Sequence, residues 1–192
     1  EVSHYGTDDP DHVEHTDNGL LRTLDNWIYN AKSQRKFRFD LVEGKPVLSE
    51  SPTAFRGQWG LAQDDFGRLY YNHNSTWILT DPLPTELLLA NPWSGRAIGQ
   101  PARSGQTVIP DPSTYPIRIN PGINRGYQKP MLRADGRLQR NTAASGVAIL
   151  RSDQWGADWD GRAFVPEAAG NLVAAFELQE NSGRFQGQQL LW

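Results

Sequence analysis

An all-β fold is the class this sequence predicts, on three observations. Seven Trp, six Tyr and seven Phe stand in a 192-residue chain that is only 38% hydrophobic, so large aromatic side chains must supply much of the buried area. Eighteen Gly and thirteen Pro favour many turns over long helices. Short apolar runs of strand length alternate with turn signals, and one such pattern recurs.

Taken in order, GLLRTLDNWIYNA (19–31) reads as a strand, an Asp-centred turn and a second strand opened by an aliphatic–Tyr pair. The basic run AKSQRKFRF (31–39) reads as a strand with a solvated cationic face, from which Arg35 or Lys36 can reach inward. GLAQDDFGRLYYN (60–72) repeats the first pattern, with Asp65 in the turn where the first has Asp25. An Asp carboxylate at such a place accepts backbone N–H groups nearby. The two patterns lie about 40 residues apart, the period of one four-stranded blade of a β-propeller.

From 81 to 140 the pattern stops. Prolines and glycines dominate, and Pro is rarely tolerated in a central strand. This segment reads as a long irregular insertion between blades, with a short helix at 85–90, packed through Trp93, Tyr115 and Tyr127. A weaker third copy spans 145–178, with GVAIL, RAFVPEA and NLVAAFEL as consecutive strands. The chain stops inside a further strand, RFQGQQLLW. Roughly three blades are present, whereas a propeller closes with about four or more. The expectation is therefore a single, incomplete β-propeller domain over 1–192, completed by other chains or by further polypeptide.

Net charge is −3 with both signs interspersed. No basic stripe points to nucleic acid and no polybasic arm to a membrane surface. No apolar run approaches the ~20 residues of a membrane span. The first residues lack the basic start and apolar core of a signal peptide. With no cysteine, disulfides, zinc–thiolate centres, iron–sulfur clusters and CxxCH haem attachment are excluded within this chain, which fits an exported bacterial protein.

Three groups of residues can carry chemistry. His4, His12 and His15 stand among Asp8, Asp9, Asp11, Glu14 and Asp17, as a potential metal site or as a solvated acidic lead-in. His15 lies just ahead of the first strand, where a His with a pKa near ~6.5 serves as a base. Arg56 holds the same place ahead of the second hairpin, so equivalence between blades points both at one axis; its planar fork suits a carboxylate or a quinone oxygen. Asn72, His73 and Asn74 are either a turn or a set of oxygens for a cation or cofactor.

HVEHTDNGLLRTLDNWIYNA, FRGQWGLAQDDFGRLYYNHNS and TAASGVAILRSDQWGADWDGRAFVPEAAGNLVAAFEL together resemble the membrane-bound dehydrogenase family of planctomycete-type bacteria, which is related to the soluble glucose and sorbosone dehydrogenases, six-bladed β-propeller quinoproteins. The resemblance implies a periplasmic or secreted protein that oxidises a sugar or alcohol hydroxyl, with pyrroloquinoline quinone and calcium as cofactors and a cytochrome-type electron acceptor. It gives His15, in Glu14-His15-Thr16-Asp17-Asn18-Gly19, the role of base, and Arg56 that of quinone contact and charge stabiliser. Gln58, Asn72 and Asn74 are further cofactor contacts on this basis, and no metal ligand is fixed. The Asn that follows the Arg in those enzymes is Gly57 here, and a Gly-Pro pair near Asn72 is missing, so this chain alone is expected to be inactive. The alternative is a non-catalytic β-propeller that binds glycan or protein partners, with Trp93, Trp155 and Trp159 as stacking surfaces.

Overall fold

The computed structural model describes residues 16–84, 86–87, 105–120 and 128–191. Its strands form three four-stranded sheets, each antiparallel and each built in chain order. Sheet 1 contains β1 (Asn18–Arg22), β2 (Ile28–Ala31), β3 (Arg35–Val42) and β4 (Lys45–Pro52). Sheet 2 contains β5 (Ala62–Gln63), β6 (Leu69–His73), β7 (Thr76–Thr80) and β8 (Gln106–Thr107). Sheet 3 contains β9 (Ala148–Ile149), β10 (Ala163–Glu167), β11 (Leu172–Asn181) and β12 (Arg184–Leu191). The protein is all-β, as its composition predicts.

The internal repeat has a definite register. Thr23 N–H donates to Trp27 O and Asn26 N–H to Thr23 O; 41 positions later Asp64 N–H donates to Arg68 O and Gly67 N–H to Asp64 O. In sheet 3, Leu150 N–H donates to Arg162 O and Gly161 N–H to Leu150 O. Asn26, Gly67 and Gly161 occupy the left-handed position of the three turns, at φ 64°, 84° and 76°, which Gly and Asn adopt at least cost. The third turn is longer: ten residues, 151–160, replace the two of sheet 2. The glycine that leads into each sheet recurs too. A Cβ on Gly19 would stand 2.4 Å from the Cα of Gly60, so β1 and the lead into β5 touch backbone to backbone.

This register corrects one reading. Asp64, not Asp65, holds the second turn: its Oδ1 accepts from the N–H groups of Phe66 (3.0 Å) and Arg68 (2.9 Å). Asp65 instead pairs with Arg151 on the long turn of sheet 3. In the first turn Asp25 Oδ1 accepts from Trp27 N–H at 3.1 Å.

The interfaces between sheets differ in kind. Sheets 2 and 3 share an apolar core in which Tyr70, Trp77, Ile78, Val165 and Phe176 are buried. Trp77 and Phe176 meet with ring centroids 5.4 Å apart. Sheets 1 and 2 meet through charged and phenolic groups. Under the long connection, the fully buried Glu167 accepts from the N–H groups of Ala143 (3.0 Å), Thr142 (3.3 Å) and Ala169 (3.2 Å). That satisfies a bend which would otherwise bury three unpaired donors.

Two further segments take definite shape. The basic run is not a uniformly solvated face: Lys36 is 6% exposed and Arg35 pairs with the buried Asp17 at 3.0 Å. The 81–140 segment supplies the fourth strand of sheet 2, β8, and the bridges Ser113↔Arg140, Arg118↔Arg137 and Leu132↔Leu138. Tyr115 is 52% exposed and so does little of the packing. Trp93 and Tyr127 lie outside the described residues, as does the helix expected at 85–90 apart from Glu86 and Leu87.

Candidate functional site

A cleft of about 750 Å³ opens between sheets 1 and 2. Each wall follows from strand alternation. Tyr29 on β2 and Lys36 on β3 turn toward sheet 2, and Tyr71 on β6 turns back toward sheet 1, because alternate residues of a strand share one face. Arg56, in the linker from β4 to β5, projects between them and is 2% exposed.

These side chains form one continuous chain of hydrogen bonds. Tyr29 OH donates to Asp25 Oδ2 (3.0 Å) and accepts from Lys36 Nζ (3.3 Å). Lys36 Nζ donates to Glu86 Oε1 at 2.8 Å, and Thr53 Oγ1 donates to the same oxygen at 3.2 Å. Arg56 Nη1 donates to Thr53 Oγ1 (2.8 Å) and to Ala54 O (3.2 Å), while its Nε donates to Asp81 Oδ2 at 2.7 Å. Tyr71 OH completes the run on Asp81 Oδ1 at 2.7 Å. The Arg56 guanidinium also lies 5.1 Å from the centre of the Tyr29 ring, a cation–π contact.

Electrostatically the cleft is balanced rather than poised. Burial and the neighbouring carboxylates, Glu86 before Asp25, push the Tyr29 phenol well above its ordinary value. Tyr71 rises for the same reasons, burial first and Asp81 second. Burial tends to raise Asp25 and Glu86, but hydrogen bonds from Thr23, Trp27 N–H and Tyr29 to the first, and from Lys36 to the second, outweigh it and lower both. The shifts favour the protonated phenols of Tyr29 and Tyr71 and the ionised carboxylates of Asp25 and Glu86. The cleft therefore offers oriented donors and acceptors held in one hydrogen-bonded run.

The residues singled out from sequence separate into two places. Gln58, Asn72 and Asn74 gather where the linkers into sheets 2 and 3 meet. Gln58 N–H donates to Asn72 O (2.9 Å), and Gln58 O accepts from Asn18 Nδ2 (3.0 Å). Asn72, fully buried, donates from Nδ2 to Gly146 O at 3.1 Å. Asn74 Oδ1 accepts from Trp59 Nε1 at 2.8 Å, and Asn74 O accepts from Ala144 N–H at 3.0 Å. These asparagines tie three linkers together. Arg56 leaves this region and turns into the cleft. His4, His12 and His15 lie outside the described residues.

The Arg56 charge is met by Asp81 and that of Lys36 by Glu86. Asn72 Oδ1 is buried without a hydrogen-bond partner, and no group of three or more His, Cys, Asp or Glu side chains that could hold a metal ion occurs among the described residues. Sequence reasoning missed Asp81 and Tyr29 as parts of a site, and gave Lys36 only as one of two cations able to reach inward. Tyr29 and Lys36 are polar residues at strand positions that must face another sheet, whereas Asp81 stands just past the end of β7.

His73, at the end of β6, is half-buried, and burial followed by the Lys32 charge lowers its pKa below the ordinary 6.5. Its neutral form is the one the fold prefers. That contribution is complete above about pH 6.5 and is lost as pH falls toward the lowered value, because the unfolded chain takes up the proton first. Melting temperatures of the wild type and His73→Gln should converge as pH drops from about 7 to about 5. Parallel curves would show that His73 is not buried as described.

Fold and site together define an all-β protein of consecutively stacked four-stranded sheets with a charged cleft between the first two. The chain belongs to the family described as a domain of unknown function, DUF7133, whose model matches residues 5–190. No curated protein matches it, and no solved structure does. Among the described residues no helix is long and apolar enough to cross a membrane.

Proposed function

We propose that this chain is part of a β-propeller of the sugar- and alcohol-oxidising dehydrogenase type, working in the periplasm or outside the cell. The observation that carries the reading is the recurrence of one turn, with the same hydrogen bonds, in three sheets built in chain order. Successive sheets stack face on face, as propeller blades do. The resemblance of the three quoted stretches to membrane-bound dehydrogenases supplies the chemistry. In this reading His15 is the base that takes the hydroxyl proton, and electrons leave to a cytochrome-type acceptor. The described part acts as scaffold: Gln58, Asn72 and Asn74 fix the linkers at the inner ends of the sheets, and Arg56 braces sheet 1 against sheet 2.

The full-length gene product, loaded with pyrroloquinoline quinone and calcium, is expected to bind the quinone in a titration and to bleach a dye acceptor with a sugar or alcohol from a panel. His15→Ala should abolish bleaching and leave binding intact. A protein that binds no quinone sinks the dehydrogenase reading. One observation favours a second reading, a non-catalytic propeller that binds glycan or protein partners: the buried Arg56 is already committed to Asp81. Glycan or protein capture without quinone binding would select it.

A further inference from the structure

We propose that three arginines on the connection between sheets 2 and 3 form a binding surface for a linear acidic polysaccharide. The proposal needs neither the propeller nor the dehydrogenase reading.

Charge is interspersed over the chain as a whole, but not here. Residues 112–140 hold six Lys or Arg and one acid, Asp135, in a chain of net charge −3. Two bridges, Arg118↔Arg137 and Leu132↔Leu138, fold the described part of this stretch into a small antiparallel sheet. Leu138 is fully buried, in a cluster with Ile117, Met131 and Leu132. Neighbours of a buried strand residue point the other way, so Arg137 and Gln139 stand outward, and both are exposed.

The three arginines lie side by side across this sheet. Leu138 N–H donates to Ile117 O at 2.8 Å, which makes Arg118 and Arg137 a non-hydrogen-bonded pair, the kind whose side chains are closest. Arg133 N–H donates to Arg137 O at 2.8 Å across the next turn. Asp135, in that turn, stands 3.8 Å from Arg133 and 4.0 Å from Arg137. Like charges directly opposite one another destabilise a sheet. One half-exposed carboxylate at those lengths offsets little of the repulsion, and Arg118 forms no ion pair among the described residues. A hollow of about 520 Å³ opens beside Arg118, Asp135 and Arg137. The guanidinium fork takes both oxygens of a carboxylate or sulfate, so an anionic ligand turns the repulsion into attraction.

The arrangement favours an acidic glycan over other polyanions. Neighbouring strands lie ~4.8 Å apart, about the length of one sugar unit, so successive arginines meet successive charged sugars. Gln139 adds an amide for hydroxyl groups. Single-stranded nucleic acid takes aromatic platforms, and a lipid surface takes apolar side chains among the cations. The exposed positions of the 133–139 hairpin are Arg, Ala, Asp, Gly and Gln.

The test titrates the full-length gene product at low salt with polygalacturonate, dextran sulfate and neutral dextran, and with phosphatidylglycerol vesicles and single-stranded DNA. Expected is binding of at least one acidic polymer, weakening as salt rises, and none of neutral dextran. Arg118→Gln and Arg137→Gln should each weaken it about tenfold, the scale of one charge-assisted hydrogen bond. Arg22→Gln, on sheet 1, should change nothing. The two ladder variants should melt no lower than the wild type, because they relieve a repulsion; this separates lost binding from lost folding. The proposal is overturned by binding of neither acidic polymer, by equal binding in the ladder variants, or by a clear drop in their melting temperature. Tighter binding to the vesicles or to the DNA overturns it as well. Quinone takes no part in this test, so its failure and that of the dehydrogenase reading are distinguishable.

Discussion

Asp81→Ala is expected to lower the unfolding free energy by about 3–5 kcal/mol, the usual cost of stripping one partner from a buried ion pair. The Arg56 and Asp81 side chains are only 3% and 13% exposed, so losing the carboxylate leaves the guanidinium charge with little solvation at Nε. Tyr71 OH loses its acceptor in the same step. The double change Arg56→Met with Asp81→Ala should cost less than Asp81→Ala alone, since it removes the stranded charge. Urea unfolding at neutral pH measures both. A loss below about 1 kcal/mol for the single variant would put the pair in the exposed class and remove the argument that Arg56 is a brace.

Trp77→Ala is the other large effect, about 3–5 kcal/mol for deleting a fully buried indole. Trp77 is 0% exposed, meets Phe176 of sheet 3, and donates from Nε1 to Ser113 O at 3.2 Å. The cavity therefore opens between two sheets and the segment before the third. Hydrogen exchange should show protection falling in β6–β7 and in β10–β11 together. Loss confined to sheet 2 would mean that the two sheets do not share a core.

Much of the fold was legible because strands and turns are local. The Gly-Leu opening and the aliphatic–Tyr pair gave the first two hairpins, and the third copy survived its eight extra turn residues because its strands kept their pattern. The register was misread by aligning Asp25 with Asp65. The constant features are the glycine and the tyrosine, and they place Asp64 opposite Thr23. β8 was not legible: two residues carry no periodicity, and they become a strand only by pairing Leu79 with Thr107 and Thr80 with Gln106.

The site was harder for the same reason. A guanidinium goes where its counter-charge is, and for Arg56 that partner is remote in sequence. Asp81 lies 25 residues downstream, past a whole hairpin. Lys36 sits in a run of cations, and nothing local separates it from Arg35 as the one that reaches into the cleft. Its partners are Tyr29 on the adjacent strand and Glu86, 50 positions away.

The wide gap before β8 has a consequence for how the chain is made. β1 to β4 pair with sequence neighbours, so sheet 1 can assemble as soon as about fifty residues have left the ribosome; contacts of short range form fast. β7 is different. Its edge partner begins 26 residues after Thr80. At a synthesis rate of about 5–20 residues per second, that edge waits roughly one to five seconds. Throughout that interval TWILT, with Trp77 and Ile78 destined for the core, offers open N–H and C=O groups to any neighbouring nascent chain. Slowing translation between 81 and 105 should therefore lower soluble yield more than the same delay placed after residue 107.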